Sequence, residues 1–338
     1  MLRALVVAVW VAATLLSAAA NDTMVTLGAG GLVPVESTQV VVESEDLQIS
    51  VHQITIHYRF RNTTDKDIDA EVGFPLPPID GGGLYYEPMA LPRAADWNFV
   101  DFNVSSNGQP VATRAEVRAF SVDREITVHL RSMGLSGSVL LEPLNAELSK
   151  LPGSQRSQLE KENLIAPGQF NPPLESGGKT GWWATWSMRV QFHWRQRFPA
   201  KSTVELVQSY RPVVGGSYIT TNSSGIEVVH KYCGESNTVE RVKQILKRHP
   251  MKDWTDGEVV LFDREIQYIL TTPNNWSGPI GNFRLSVVTD SSEDIVLTCM
   301  PGLERLSPTR YELVRTNFRP DKELDLLILQ ENRTQPDH

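Results

Sequence analysis

The stretch Trp182-Trp183-Ala184-Thr185-Trp186-Ser187-Met188-Arg189-Val190-Gln191-Phe192-His193-Trp194-Arg195-Gln196-Arg197-Phe198 decides the fold. Its even positions carry Trp182, Ala184, Trp186, Met188, Val190, Phe192, Trp194 and Phe198, with Gln196 the polar member; its odd positions are polar except Trp183. A period of two puts one set on a buried face and the other in water, which is a β-strand. Shorter runs of the same kind lie on both sides: Ile54, Ile56, Tyr58 and Phe60; Ile126, Val128 and Leu130; Ile266, Tyr268 and Leu270; Phe283, Leu285 and Val287; Ile295, Leu297 and Cys299; Leu324, Leu326 and Ile328. Asn107-Gly108 separates Phe99–Val104 from Val111–Phe120, and Asn-Gly accepts the positive φ angles of a type I′ hairpin turn. Short strands broken by Gly, Pro and Asn turns indicate antiparallel sandwiches rather than a parallel α/β sheet.

Helix is the minority. Asn237 and Glu240 start one near 237–249, with Val239, Val242, Ile245 and Leu246 on one face, basic residues at its end and Pro250 stopping it. Leu144, Leu148 and Leu151 suggest a second, broken at Pro152-Gly153. Residues 153–181 are rich in Gln, Ser, Gly and Pro and read as an irregular excursion with one further helical turn near Leu159 to Leu164.

The chain has 338 residues, 41% hydrophobic and 21% charged, which excludes wholesale disorder and coiled coil. A net charge of -8 with no basic cluster argues against a nucleic-acid partner. Residues 1–20 read as a signal peptide: Arg3, an apolar run from Ala4 to Leu16 too short to span a bilayer, then Ala18-Ala19-Ala20. No later apolar run anchors the chain, so it is expected to be periplasmic or secreted. In an oxidising compartment Cys233 and Cys299 are expected to form one disulfide, with Cys299 on the apolar parity of its strand; two separate buried thiols are the alternative.

Catalytic and metal motifs are missing. Gly178-Lys179-Thr180 lacks the earlier glycine and leading strand of a phosphate loop, and Gly134-Leu135-Ser136-Gly137 is not a nucleophile elbow. Asp65, Asp67 and Asp69 alternate like the start of a calcium loop but lack its glycine and glutamate, so they read as solvated turn carboxylates. The histidines show no zinc spacing. No cofactor or metal is expected. Tyr85, Tyr86, Trp97 and Trp183 are candidate recognition residues, the alternative being a lid packed on its own sheet; Gly81-Gly82-Gly83 would make the loop before Tyr85 mobile.

Ser44-Glu45-Asp46-Leu47, Tyr58-Arg59-Phe60-Arg61-Asn62, Phe74-Pro75-Leu76-Pro77, Tyr210-Arg211-Pro212-Val213-Val214-Gly215-Gly216, Tyr232-Cys233 and Pro279-Ile280-Gly281-Asn282-Phe283 together resemble an exported bacterial family catalogued as Domain of Unknown Function 4424. The resemblance implies export and a β-rich fold and supplies no activity. Arg61-Asn62, Phe74-Pro75-Leu76-Pro77, Phe198-Pro199-Ala200 and Tyr210-Arg211-Pro212 are also similar to the vault and inter-alpha-trypsin-inhibitor domain. That similarity implies a first sandwich over 21–216 with an insertion at about 143–181, then a second over 217–338.

The expectation is therefore a mostly β chain of two antiparallel, immunoglobulin-like β-sandwich domains with a few short helices. It would be exported and non-catalytic, binding another envelope or extracellular protein through loops and sheet edges. The alternative is an envelope carbohydrate-binding protein or glycan-acting enzyme using exposed aromatics with carboxylates such as Asp96, Asp101 or Glu116.

Overall fold

The computed structural model describes residues 23–28, 31–86, 97–170, 173–174, 178–219, 223–248 and 261–331. The leader at 1–20, Asp96 and Pro250 lie outside the described residues. Among the described residues strands account for 47% and helices for 19%, so the fold is mostly β.

Eight strands form a central sheet in the order β19 (Glu304–Ser307), β20 (Arg310–Phe318), β17 (Ile280–Val288), β3 (Val40–Ile49), β4 (Ile54–Asn62), β14 (Thr203–Tyr210), β7 (Asn103–Ser106) and β8 (Gln109–Val111). A second sheet runs β10 (Arg124–Glu125), β9 (Arg114–Ser121), β13 (Ser187–Phe198), β5 (Ile68–Pro75), β1 (Thr23–Gly28) and β2 (Gly31–Val35), and β6 (Ile79–Asp80) also pairs with β13. The two sheets pack through aromatic rings: Phe60 meets Phe198 at 5.9 Å, and Phe74 meets Tyr210 at 5.5 Å. A third sheet runs β15 (Tyr218–Ile219), β16 (Leu261–Tyr268), β21 (Leu324–Glu331) and β18 (Ile295–Leu297), and shares a hydrophobic cluster with α5 (Ser223–Lys231) and α6 (Ser236–Arg248).

Parity explains much of this. The apolar residues of β4 are buried at every second position, and in β13 the even side chains from Met188 to Phe198 are all buried. Asn107 and Gly108 take φ of 47° and 77°, as the type I′ hairpin between β7 and β8 requires. On α6, Val239, Val242, Ile245 and Leu246 form the buried face.

Four readings change. The alternating stretch is two strands, not one: β12 (Thr180–Ala184) pairs with β11 (Ile165–Gln169) in a separate hairpin, and the chain bends at Thr185-Trp186 before entering β13. The bend is fixed where Thr185 N–H donates to Leu164 O (3.0 Å) and Trp186 Nε1 to Gly137 O (2.9 Å). Ile126, Val128 and Leu130 are not a strand. Residues Thr127–Ser132 form helix α2, with Ile126 and Leu130 buried and Val128 80% exposed, because a four-residue apolar spacing serves a helical turn equally well.

The described residues of the polar segment 143–181 are largely regular structure. It contains most of α3 (Leu141–Ser149), then α4 (Gly153–Lys161) and β11, and its Leu144, Leu148, Leu159, Leu164 and Ile165 all enter the main core. Finally, the division near Gly216 does not separate two cores. β17 pairs in parallel with β3, Asn282 opposite Ser44 through Val287 opposite Ile49, so C-terminal strands complete the N-terminal sheet. The same main cluster takes in Ile266, Tyr268, Leu270 and Leu285. Strands from both sides of Gly216 therefore share layers and one main core.

Replacing buried Leu159 with Ala is expected to cost about 2–5 kcal/mol, and exchanging Ser154–Gly178 for a Gly-Ser linker to cost more. Urea denaturation followed by far-UV circular dichroism measures both; an unchanged midpoint for the linker variant would place the segment outside the core.

Candidate functional site

Helix α1 (Gly81–Tyr86) and the β11–β12 hairpin bring three of the four sequence candidates together. Tyr85 stacks on Trp183 with ring centroids 5.2 Å apart and an interplanar angle of 4°. Tyr86 lies edge-on to both, at 4.9 Å and 5.4 Å, and is 71% exposed. Phe170 closes the group edge-on to Tyr85 at 5.6 Å. The Tyr85 hydroxyl accepts from Gln169 N–H at 3.0 Å. Trp97 is not part of this group; it is 56% exposed and tilts over Phe192 at 6.1 Å.

Glycine makes the stacking possible. A Cβ at Gly168 would sit 2.6 Å from Tyr85 Cε2, and across the ladder a Cβ at Gly181 would sit 2.6 Å from Asn145 Oδ1. Asn145 of α3 in turn grips the hairpin: Trp182 N–H donates to its Oδ1 and its Nδ2 donates to Trp182 O, both at 2.8 Å. The triple glycine is not the mobile loop expected. Asp80 accepts from Gly83 N–H at 2.7 Å and starts the helix, while a side chain at Gly81 would collide with the Ala184 carbonyl.

Of the carboxylates named from sequence, Asp101 and Glu116 have their contacts elsewhere, and Asp96 lies outside the described residues. Asp101 stands beside the central sheet, 3.8 Å from Arg211, and Glu116 faces Gln191 across the second sheet. Asp67 accepts from Arg197 and from Ala200 N–H (2.8 Å), and Asp65 pairs with Lys201 at 3.1 Å. The Arg197 hydrogen bond holds Asp67 below the usual carboxylate range. With Asn62 Nδ2 donating to Phe198 O at 2.9 Å, these bonds join the 61–67 turn to Phe198-Pro199-Ala200. The aspartates therefore fasten a strand junction. Three histidines face carboxylates: His193 with Glu71 (2.6 Å), His129 with Glu162 (2.8 Å) and His52 with Asp290 (3.0 Å). Among the described residues no group of three His, Cys, Asp or Glu is placed to hold a metal ion.

Sequence reasoning missed a cavity of about 450 Å³ where the end of the two-sheet sandwich meets the third sheet. Leu76, Pro77 and Ile79 wall one side, Tyr210 and Val213 another, and Asp263, Glu265 and Val228 face them. Its signal was present in Phe74-Pro75-Leu76-Pro77 and in Tyr210 to Gly216, but nothing local shows that these segments meet. The Gly215–Glu265 bridge holds the wall to β16, and a Cβ at Gly216 would lie 2.9 Å from Asp263 O.

Cys233 and Cys299 are bonded, with Cα atoms 5.1 Å apart. Cys233 has φ of 59° at the end of α5. Cys299 is exposed rather than core-facing, because β18 ends at Leu297 and the chain turns before the parity reaches it. Among the described residues no helix is long and apolar enough to cross a membrane.

These features define a layered, mostly β protein with an exposed aromatic group and a cavity between its layers. The chain belongs to the family described as Domain of unknown function (DUF4424), which matches residues 20–327. No curated protein matches it. Among solved structures it is similar to a "putative nutrient binding protein" from Legionella pneumophila subsp. pneumophila str. Philadelphia 1, at 15% identity and a TM-score of 0.42, covering 91% of this chain and 72% of that one.

Gly168→Ala is expected to push the Tyr85 ring off Trp183 and cost about 1–3 kcal/mol, read as a lost aromatic signal in near-UV circular dichroism and a lower denaturation midpoint. Because both cysteines are exposed, dithiothreitol should open the bond in the folded protein. The loss should be about 4 kcal/mol, the closure entropy of a loop spanning 66 positions. Free-thiol titration without denaturant, then with it, checks this; a bond that opens only on unfolding contradicts it.

Proposed function

We propose that this chain is an exported, non-catalytic protein that binds another envelope or extracellular protein through the surface formed by Tyr85, Tyr86 and Trp183. The observation that carries the reading is Tyr86, held 71% exposed on a stacked pair whose geometry the Gly168–Gly181 rung fixes. Rigid aromatic side chains bring large contact area at small entropic cost, which is why Tyr and Trp dominate interface energetics. The leader-like first twenty residues and the family resemblance support export.

Sheet edges contribute less than loops to this reading. The central sheet ends on one side in the three-residue β8, which contains Pro110, and on the other in β19, which bulges between Arg305 and Ser307. Both are devices that oppose the addition of a further strand. A glycan platform is less favoured because Tyr85 and Trp183 cover one face of each other.

A photo-crosslinking amino acid at position 86, compared with exposed Val314 on β20 as control, tests the proposal in cells expressing the full chain. A discrete protein adduct from position 86 alone, lost on Trp183→Ala, is expected. Identical adducts from both positions, or none from position 86, would overturn it.

A further inference from the structure

We propose that the cavity between the sandwich and the third sheet is a binding site for a small organic amine, its ammonium on the Asp263–Glu265 side and its apolar body against Leu76, Ile79 and Val213. At about 450 Å³ it has the volume of about fifteen waters, within the usual range for small-molecule pockets.

The polar groups that reach it have few partners of their own. Tyr210 is 3% exposed, and its hydroxyl has no hydrogen-bond partner among the described residues. The Tyr210 ring packs on Phe74 and Phe102, and the residue also lines the cavity, where a bound ligand would give its hydroxyl a partner. Asp263 is 4% exposed, and its carboxyl accepts from the Ser217 N–H and from its own backbone N–H. Burial first, and Glu265 after it, push the Asp263 carboxyl up from its ordinary value. The backbone N–H groups and Arg264 oppose that rise without cancelling it, and a bound ammonium would add a counter-charge. Glu265 accepts from the Tyr232 hydroxyl at 2.8 Å and keeps its face toward the same volume.

The sign of the charge selects the ligand. Asp263 and Glu265 are the only charged residues lining the cavity among those described. Lys231 reaches Glu265 at 3.5 Å from the neighbouring cleft, and Arg264 lies over the Phe262 ring; neither lines the cavity. A carboxylate or phosphate ligand would meet like charge, whereas an amine gains two acceptors of opposite charge and the unpaired phenol. The apolar walls, including the prolines at 77, 78 and 212, give the rest of the molecule a dry surface.

Isothermal titration calorimetry on the purified full chain tests this with three matched probes: phenethylamine, 2-phenylethanol and 3-phenylpropanoate. The amine is expected to bind at least tenfold more tightly than the alcohol, and the carboxylate not at all. Val228→Trp, which fills the cavity from α5, should abolish amine binding, and Asp263→Asn should weaken it at least tenfold. Tyr210→Phe should weaken it several-fold without lowering the thermal midpoint, since the hydroxyl has no partner to lose; that variant keeps the test decisive where Asp263→Asn fails to fold. Equal binding of amine and alcohol, or binding that survives Val228→Trp, overturns the proposal. The aromatic surface at Tyr86 is untouched by these changes, so crosslinking at position 86 is unaffected by either outcome.

Discussion

Strand β21 is buried on both faces from Leu326 to Leu329, and the rest of the molecule is arranged around that constraint. Leu324, Leu326 and Ile328 enter the core shared with the two large sheets, while Leu327 and Leu329 enter the cluster under α5 and α6. A strand with one wet face can close a sandwich; one with two dry faces must have a layer on each side. The helices are thus the second cover that this strand requires. The cavity opens at the margin of the same junction, where β16 turns Asp263 and Glu265 toward the Tyr210–Ser217 wall.

The aromatic group obeys a different rule. Its rings are held by absences, since Gly168, Gly181 and Gly81 each leave room that a methyl group would fill. A surface assembled this way is rigid before any partner arrives, which lowers the entropic cost of association. The segment 143–181 supplies the Asn145 clamp and most of the hairpin, so its polar composition conceals both a structural and a recognition role.

Strand character was legible where period two runs long, and the burial of Met188 to Phe198 follows it residue by residue. The break at Thr185-Trp186 was not, because both strands keep the same phase through the bend. Ile126 and Leu130 misled for a related reason: a spacing of four fits a strand face and a helix turn alike. The disulfide pairing was legible from count alone, but not its exposure, which depends on where β18 stops. In the site, Tyr85, Tyr86 and Trp183 were nameable as aromatic outliers, whereas the cavity joins residues near 76, 210 and 263 that no local pattern connects. The parity of Leu324, Leu326 and Ile328 was read correctly, yet the burial of Leu327 and Leu329 between them reverses the conclusion that the opposite face is wet.

The parallel ladder between β3 and β17 also sets a schedule. β3 ends at Ile49 and β17 begins at Ile280, so a ribosome adding about 5–20 residues per second leaves the inner edge of β3 open for about 10–50 s. During that interval Val40 to Ile49 presents unpaired amides beside apolar side chains, the profile of a template for intermolecular strand addition. The native chain therefore depends on whatever keeps that edge unoccupied until Ile280–Val288 emerge.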